Sequence, residues 1–284
     1  MPAGSRTGAD DLRQSTRRDS FLRLLGTRPA VMGILNLTPD SFSDRGRHAS
    51  VEAAVRHATA LAEAGCDIID IGGESVRPGA TPVSVEEELA RIEPVMAALA
   101  KTLDVPLSID TSKARVAGRA LEHGAVMVND VWGLQKDPAM AATVAGAEAA
   151  VVIMHNRIEK DEAIDIIADI RRFFDCSLDI AARAGIARKH IILDPGIAFA
   201  KTSRQNRDII LRLPELADYR LPIMVGVSRK AFLGSLSPGS PEATLAGTVS
   251  ASLSAAAAGA TLFRVHDVAE HVAALRVFAT IRGS

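Results

Sequence analysis

The chain has 284 residues, 48% of them hydrophobic, and its 33 Lys and Arg residues against 34 Asp and Glu residues give a formal net charge of −1. This length suits one large α/β domain or two small ones. The near-zero charge argues against a general affinity for nucleic acid or anionic membranes, because both need a basic excess. Since no apolar stretch is hydrophobic and long enough to span a bilayer, we expect a cytoplasmic protein.

Ala-rich amphipathic segments recur along the chain, and each ends at a glycine that is followed at once by a short, β-branched apolar run. Glycine at that point indicates the end of a helix, because it adopts left-handed backbone without a Cβ penalty. In chain order, strands are predicted at 31–37, 67–73, 106–111, 126–131, 149–155, 191–196, 222–228 and 262–268. Helices are predicted at 51–64, 84–100, 113–122, 138–145, 161–184, 203–213, 243–258 and 268–281, the second of them with a capping box of Ser84 and Glu87.

The predicted strands are continuous apolar runs, which are typical of a parallel sheet with helices on both faces. Eight strand and helix units in about 250 residues favour a single-domain (β/α)8 TIM barrel over a doubly wound sheet, which usually has fewer strands. We therefore predict a barrel over residues 28–284. Residues 1–27 are predicted to be a partly disordered N-terminal extension, with helix only over 20–25.

Polar residues follow or end all eight predicted strands, and the C-terminal ends of the strands form the active-site face of such a barrel. Asp or Asn after a strand often caps the next helix, so Asp130 and Asp267 each have capping as an equal alternative. Taken together, the residues predict one polar bowl at this face. They are Asn36, Glu74, Asp110, Asn129, Asp130, His155, Asp194, Ser228, Arg229, Lys230, Arg264, His266 and Asp267.

The connections at 38–50 and 74–84 are longer than the usual strand-to-helix loop, which indicates binding loops. Phe42 and Arg77 are the side chains in them that we expect to contact a ligand. The segment 196–202 is similar to a phosphate-binding P-loop, but Lys201 stands one residue too early and Ala200 replaces the second glycine. We therefore do not interpret it as a P-loop.

Four residues of the bowl suit a flat heterocycle. Asp110 and Asp194 offer carboxylate acceptors, Asn129 an amide that both donates and accepts, and Lys230 an ammonium donor. One carboxylate can accept two parallel hydrogen bonds from an amino group and a ring N–H, as a pterin presents them. The set therefore predicts a site for a heterocycle of the pterin kind.

Strands seven and eight add positive charge at the place where barrels frequently bind phosphate. The residues are Arg229, Lys230, Arg264 and His266. Asn36 offers a neutral oxygen that could help to hold Mg2+, which normally binds through substrate phosphates as well. The residues alone thus predict a heterocycle that bears a phosphorylated group.

The chain resembles the dihydropteroate synthase family over roughly residues 28–281, in segments that follow the family order. They are VMGILNLTPDSFSD, DIIDIGGESVRPGA, SIDT, NDVWG, MHNR, ILDPGIAFAKT, VGVSRKAFLG and RVHDV. The resemblance implies a transferase of folate biosynthesis that condenses 6-hydroxymethyl-7,8-dihydropterin diphosphate with 4-aminobenzoate to give 7,8-dihydropteroate and diphosphate. It also implies Mg2+ as cofactor, small-molecule substrates, a homodimer and a target of sulfonamides.

The resemblance further implies a division of the site. Its pterin site comprises Asp110, Asn129, Met154, Asp194 and Lys230. Its diphosphate site comprises Asn36, Arg264 and His266, with Mg2+ at Asn36. Its aminobenzoate site comprises Phe42, Arg77, Pro78, Phe199 and Ser228. The residues expected to be catalytic are Asp110, Lys230, Arg264 and His266.

Four positions depart from the family pattern. The family usually has Gly at Arg45, Ala198 and Ala200, and Thr at Val76. These changes leave the loop details and the sulfonamide response open. Three other functions also stay open on the sequence: a methyltetrahydrofolate-binding methyltransferase domain, a Schiff-base aldolase that uses Lys230, and a paralogue that binds pterin without turnover.

Overall fold

The structure is a computed structural model that describes residues 8–37, 46–75, 81–236 and 241–283. Eight strands form one parallel sheet in the order β6-β5-β4-β3-β2-β1-β8-β7, and a bridge between Leu193 and Ile223 joins its two edges. The sheet is therefore closed, and the predicted (β/α)8 barrel is confirmed with all eight predicted strands. They are β1 (Ala30–Asn36), β2 (Ile68–Gly72), β3 (Leu107–Asp110), β4 (Met127–Asp130), β5 (Ala150–Met154), β6 (Ile191–Asp194), β7 (Met224–Val225) and β8 (Leu262–Val265).

Ten α-helices lie in the described ranges, and they include all eight predicted helices. They are α1 (Gly8–Leu24), α2 (Gly46–Glu63), α3 (Val85–Thr102), α4 (Ala114–Glu122), α5 (Met140–Gly146), α6 (Ile166–Ala184), α7 (Ser203–Leu211), α8 (Ala231–Leu236), α9 (Pro241–Ala257) and α10 (Val268–Arg282). Ser84 is the N-cap of α3 and accepts a hydrogen bond from the backbone N–H of Glu87, which is one half of the predicted capping box, whereas the Glu87 carboxylate pairs with Arg91. None of these helices is long and apolar enough to cross a membrane.

Helix α1 is much longer than the short helix predicted in the N-terminal extension. Its residue Phe21 and the following Leu25 are buried against the apolar lower interior of the barrel. The Arg18 guanidinium is also buried, and it donates to the backbone carbonyl of Glu148 just before β5. The sequence prediction covered only the end of this helix because, among its described side chains, Phe21 is the one apolar residue that is fully buried, so the helix shows little amphipathic periodicity.

Strand residues alternate between the interior of the barrel and the surrounding helices. Apolar side chains fill the lower interior, among them Met32, Ile68, Val152 and Leu262. Their strand neighbours, such as Ile69, pack outward in the larger core under the helices. The inward positions that follow toward the C-terminal ends of the strands are mainly polar, so the alternation itself delivers polar side chains to one end.

Candidate active site

The polar bowl contains fewer residues than the set of polar residues at the strand ends. Side chains along a strand alternate in direction, so only one residue of each adjacent pair points into the barrel. Asn129 faces inward on β4, whereas the next residue, Asp130, accepts hydrogen bonds from the backbone N–H groups of Trp132 and Leu134. Met154 faces inward on β5, and the next residue His155 lies outside. The predicted site residues that occupy inward positions are Asn36, Asp110, Asn129, Met154, Asp194, Ser228, Arg264 and His266.

Arg264 joins three strands at the centre of the bowl. Its Nε donates to Oδ2 of Asp70 over 2.7 Å, and its Nη2 donates to Oδ2 of Asp110 over 2.6 Å. The two carboxylates raise the pKa of the guanidinium, which opposes the effect of burial. Because both carboxylates are nearly or fully buried, this arginine compensates charge in the protein and is not free to act as an anion site alone.

Three buried oxygens of the bowl receive no hydrogen bond from the residues that the structure describes: Oδ1 of Asp70, Asp110 and Asn129. Asn129 meanwhile donates from Nδ2 to Oδ2 of Asp70 over 2.9 Å. Buried acceptors without donors are costly, and they are retained where a ligand supplies the donors. The bowl is thus an acceptor-rich surface that fits a ligand with several N–H groups.

Asp194 and Lys230 stand on the other side of the bowl. The buried Asp194 accepts from the backbone N–H of Gly196 over 2.7 Å, and burial raises the pKa of its carboxyl. Lys230 donates from Nζ to the carbonyl of Ile197, and its Nζ lies 4.6 Å from the centre of the Phe199 ring. Burial lowers the pKa of Lys230 to about 8, so the ammonium form is the major one at neutral pH.

The carboxyl of Asp110 has a pKa close to neutral pH. Burial raises its pKa to about 7, and the neighbouring carboxylates raise it further against the lowering effect of Arg264. This carboxyl therefore changes charge in the physiological range. A carboxyl of this kind among the buried donors and acceptors of the bowl is a functional-site candidate, because such pKa values cluster at active sites.

Ser228 and His266 form a pair at the β7 and β8 side. The Ser228 hydroxyl lies 3.0 Å from Nδ1 of His266 and accepts from the His266 backbone N–H over 3.1 Å. Arg229 does not join them, contrary to the sequence prediction that its charge faces the phosphate site. It has a left-handed φ of 56° and its exposed guanidinium pairs with Asp267.

Two further polar residues were predicted to lie in the bowl, but the structure places them outside it. His155 is buried and its Nε2 lies 3.2 Å from Asp169 on α6, where burial lowers its pKa to about 4. Glu74 binds Lys113 through Oε2 and accepts from the backbone N–H of Val83 through Oε1. Glu74 therefore fastens the ends of the second long loop to the barrel.

Asn36 at the end of β1 pairs with Gly72 at the end of β2. A Cβ atom on Gly72 would lie 3.5 Å from Oδ1 of Asn36 and 3.7 Å from Oδ2 of Asp110. Within the described part of the chain, no group of three or more His, Cys, Asp and Glu residues could hold a metal ion. A cation here would have to take the neutral amide oxygen together with oxygens of a ligand, which is a donor set that suits Mg2+ bound to phosphates.

The loop between β6 and α7 (residues 195–202) contains two of the departures from the family pattern. Ala198 and Ala200 have φ angles of 70° and 44°, in the left-handed region where glycine is favoured. Both residues flank Phe199, so the alanines keep the backbone conformation for which glycine is suited. The other predicted residues of the long loops, Phe42, Arg45, Val76, Arg77 and Pro78, lie outside the described residues.

Two residues were missed by the sequence prediction. Asp70 is fully buried in the middle of β2, and the signal for it is a carboxylate inside the apolar run DIIDIGG. The sequence gives Lys201 no role once the P-loop is rejected, but its buried ammonium donates to the backbone carbonyls of Gly196 and Phe199. Both residues organise the side chains that form the site.

Comparisons with known proteins agree with this geometry. The sequence model of the family described as "Pterin binding enzyme" matches residues 32–266. The dihydropteroate synthase of Synechocystis is 45% identical over 250 residues, which are 86% of each chain. The Clostridium difficile dihydropteroate synthase, solved in the presence of pteroic acid, superposes with a TM-score of 0.87 at 44% identity and covers 90% of this chain and 97% of that one. The Xanthomonas albilineans enzyme with 4-aminobenzoic acid superposes with a TM-score of 0.86 at 45% identity over 91% and 94% of the two chains.

Proposed function

The chain belongs to the pterin-binding enzymes and, within them, to the dihydropteroate synthase family, and from this membership we propose how its bowl performs the condensation. The proposed substrates are 6-hydroxymethyl-7,8-dihydropterin diphosphate and 4-aminobenzoate, and the products are 7,8-dihydropteroate and diphosphate. The Xanthomonas albilineans enzyme with 4-aminobenzoic acid supports the second substrate. The reaction class is transfer of an alkyl group other than methyl.

The observation that carries the assignment of the pterin site is the set of buried acceptors without donors. A reduced pterin presents an amino group and ring N–H groups along one edge. These would donate to Oδ1 of Asp110 and of Asn129, and also to the buried carboxylate of Asp194, which accepts from the Gly196 N–H as well. Lys230 would donate to the acceptor atoms of the ring. Met154, which is buried at the end of β5, would pack against the ring face.

The reaction needs positive charge to be stabilised at one place and negative charge at another. When the bond between the pterin methylene carbon and the diphosphate oxygen breaks, the cation delocalises into the ring, where ionised Asp110 stabilises it. His266 lies at the β8 end beside Ser228 and is placed to donate to the departing diphosphate. The amine of 4-aminobenzoate then attacks the methylene carbon and loses one proton to the departing diphosphate or to water, and no protein nucleophile takes part.

Arg264 has a different role in this proposal from the simple anion contact that the sequence suggests. Its Nε and Nη2 are already occupied by Asp70 and Asp110. It therefore fixes the Asp110 carboxylate, and only its remaining donors are available to the diphosphate. The dual contact favours the ionised form of Asp110, against the effect of burial, and places a positive charge between pterin and diphosphate.

Magnesium fits the residues present, with Asn36 as the protein ligand through Oδ1. When bound, Mg2+ would neutralise charge on the diphosphate that leaves. Asn36 would then orient the phosphate end of the substrate beside Gly72.

The aminobenzoate site is proposed at Phe199 and Ser228, together with Phe42, Arg77 and Pro78 of the long loops. Phe199 supplies an apolar ring beside Lys230, and the Ser228 hydroxyl with nearby backbone N–H groups favours a carboxylate. A sulfonamide resembles 4-aminobenzoate in shape and would compete at the same place.

A homodimer and a cytoplasmic location remain predictions from the sequence. For the dimer, α9 offers a surface of small and apolar side chains that leaves a groove beside α10. Small side chains allow two helices to approach closely. The residues that line the groove are Leu245, Ala246, Val249, Ser250, Leu253, Ser254, Ala257 and Glu270.

The test of the proposed function is direct. Purified protein is incubated with the pterin diphosphate, Mg2+ and 4-aminobenzoate, and dihydropteroate and diphosphate are quantified by chromatography. We expect both products in equal amounts, with no product when either substrate is omitted. Binding of the pterin without product would instead establish a non-catalytic paralogue and overturn the proposal.

A further inference from the structure

Lys201 is a buried lysine that contacts only backbone carbonyls in the described structure. Its Nζ lies 2.7 Å from the oxygen of Gly196, 3.1 Å from that of Phe199 and 3.4 Å from that of His155. The side chain is 3% exposed. A protonated lysine has three N–H donors, and here three carbonyl oxygens surround it.

These three carbonyls belong to two different strand-to-helix connections. Gly196 and Phe199 lie in the β6–α7 loop, and His155 lies directly after β5. The ammonium therefore ties one loop to itself and to the neighbouring strand end. Burying a charge without an ionised partner in hydrogen-bond contact is expensive, so its retention indicates that the loop geometry depends on it.

The β6–α7 loop also connects the two halves of the proposed site. The carbonyl of Ile197 accepts from Lys230, and the Phe199 ring lies 4.6 Å from the same Nζ. On the other side of the loop, the backbone N–H of Ala198 donates to Oδ1 of Asn206 on α7 over 2.7 Å. Among the described residues, two charged side chains thus donate to carbonyls of this loop. Lys230 binds the Ile197 carbonyl on the side of the bowl, and Lys201 binds the Gly196 and Phe199 carbonyls on the side away from it.

The loop needs such fixation because its backbone is not the one its residues prefer. Ala198 and Ala200 are both in the left-handed region, and left-handed backbone is unfavourable for alanine. Without an attachment at Gly196 and Phe199, the loop would relax toward ordinary backbone angles. The Phe199 side chain would move with it, because it stands between the two alanines.

We propose that Lys201 is a positioning residue that holds the β6–α7 loop so that Phe199 forms one wall of the 4-aminobenzoate site. The inference rests on the proposed function, since it assigns the amine substrate to Phe199. Lys201 itself touches neither substrate. Its effect is largest on the binding of the second substrate. Asp110 and Asn129 contact the pterin from other strands, whereas Asp194 and Lys230 meet the loop only at its backbone, at the Gly196 N–H and the Ile197 carbonyl.

The experiment compares Lys201→Met and Lys201→Gln with the wild-type enzyme, by steady-state kinetics with each substrate varied in turn. Methionine keeps the length of the side chain but has no donor, whereas glutamine keeps an amide N–H2 with two donors. We expect the KM for 4-aminobenzoate to rise about 10-fold in Lys201→Met and less in Lys201→Gln, while the KM for the pterin diphosphate changes less than about 2-fold.

The matched control is Arg18→Met at the opposite end of the barrel. Arg18 is also a buried cation that donates to a backbone carbonyl, so its loss should lower stability and leave both KM values unchanged. Unfolding is followed by circular dichroism for all variants, and Lys201→Gln serves if Lys201→Met does not fold. A wild-type enzyme that makes no dihydropteroate would overturn the proposed function. An active wild type with folded Lys201 variants whose KM for 4-aminobenzoate is unchanged, or whose two KM values rise equally, would overturn the role of Lys201.

Discussion

Nε of Arg264 on β8 lies 2.7 Å from Oδ2 of Asp70 on β2, a carboxylate that is fully buried and that also accepts a hydrogen bond from Asn129. This contact holds the arginine in the plane where its Nη2 reaches Asp110. Asp70 is therefore a positioning residue for both the proposed pterin acceptor Asn129 and the arginine between pterin and diphosphate. Its side chain need not touch the substrate to affect the reaction.

Asp70→Asn should reduce activity through this geometry. The amide keeps the shape, and its oxygen can take the place of Oδ2, which accepts from both Arg264 and Asn129, but the substitution removes the negative charge that faces the buried Arg264 guanidinium. We expect kcat/KM for the pterin diphosphate to fall about 10-fold to 100-fold, and the free energy of unfolding to fall by about 1–3 kcal/mol. Steady-state kinetics and urea unfolding measure the two quantities.

The control is Asp130→Asn, which changes a buried carboxyl on β4 that faces away from the bowl and accepts only backbone N–H groups. It should lower stability and leave kcat/KM near the wild-type value. Equal losses of kcat/KM in both variants would mean that Asp70 acts only through stability.

The pH dependence of the reaction should follow Asp110 and Lys230. Burial raises the pKa of Asp110 to about 7 and lowers that of Lys230 to about 8. The reaction needs the carboxylate and the ammonium, so kcat/KM should rise as the pH increases through about 7 and fall as it increases beyond about 8. Asp110→Asn should be much less active and should lack the rising limb, whereas an unchanged limb would assign it to another group.

The raised pKa of Asp110 also makes the free energy of unfolding depend on pH. Because the folded-state pKa of Asp110 is above the ordinary value of 3.8, the native state binds the proton more tightly than the unfolded state does. Its contribution to stability is complete below about pH 4 and is lost as the pH rises to about 7. Urea unfolding of the wild type and of Asp110→Asn at several pH values should differ in this window, and parallel curves would contradict the shift.

The division of the bowl predicts different defects for two of its residues. Asp194→Asn removes a carboxylate from the proposed pterin site, so pterin binding should be lost by about 10-fold or more in isothermal titration calorimetry. His266→Ala should leave binding of the bare pterin near wild type and weaken binding of the diphosphate form. The two variants share the same assay, and an equal loss of bare pterin binding in both would contradict the division.

The barrel was predictable because its signals are local and repeated. Helices that end at glycine and continuous apolar strands locate all eight strands, and the C-terminal ends locate the active-site face. Which polar residue of a pair such as Asn129 and Asp130 faces inward does not follow from their position at the strand end, because both members fit that pattern. Alternation would have separated them once the inward register of one strand was known.

Contacts between distant segments were the part that the sequence could not provide. Arg264 was assigned to phosphate because its charge was considered alone, whereas Asp70, 194 residues away, determines its orientation. Arg229 was assigned to the same site although its neighbour in space, Asp267, takes up its charge. Ion pairs of this kind depend on the register of strands and on which residue faces which, and no residue pattern within one segment encodes them.

Gly196→Ala tests the close approach of two loops beneath the site. A Cβ atom at this position would lie 1.9 Å from the carbonyl oxygen of His155, and the φ angle is 67°. Since neither the backbone nor the left-handed conformation can accept the methyl group cheaply, we expect a loss of more than about 4 kcal/mol in the free energy of unfolding, or insoluble protein.

Gly146→Ala is the control, because a Cβ atom at the end of α5 meets no atom within 4 Å. It should be tolerated and can gain about 0.5–1 kcal/mol from helix propensity. Soluble, fully stable Gly196→Ala protein would show that the loop takes another path from the one described.

Ala198→Gly and Ala200→Gly should stabilise the protein, in contrast to nearly all Ala→Gly changes. The left-handed φ angles of 70° and 44° cost an alanine about 1–2 kcal/mol each, and glycine removes that cost. Glycine also gives the unfolded chain more freedom, which offsets about 0.4–1 kcal/mol of the gain. The expected net effect is an increase of about 0.5–1 kcal/mol in the free energy of unfolding for each substitution, measured by urea denaturation.

The matched control is Ala182→Gly, at an exposed position in the last turn of α6. This variant should lose about 1 kcal/mol in the free energy of unfolding instead. If all three variants lose stability alike, the backbone at Ala198 and Ala200 is not strained. Backbone strain would then give no reason for Lys201 to hold this loop, and the only remaining reason would be the position of Phe199 in the proposed site.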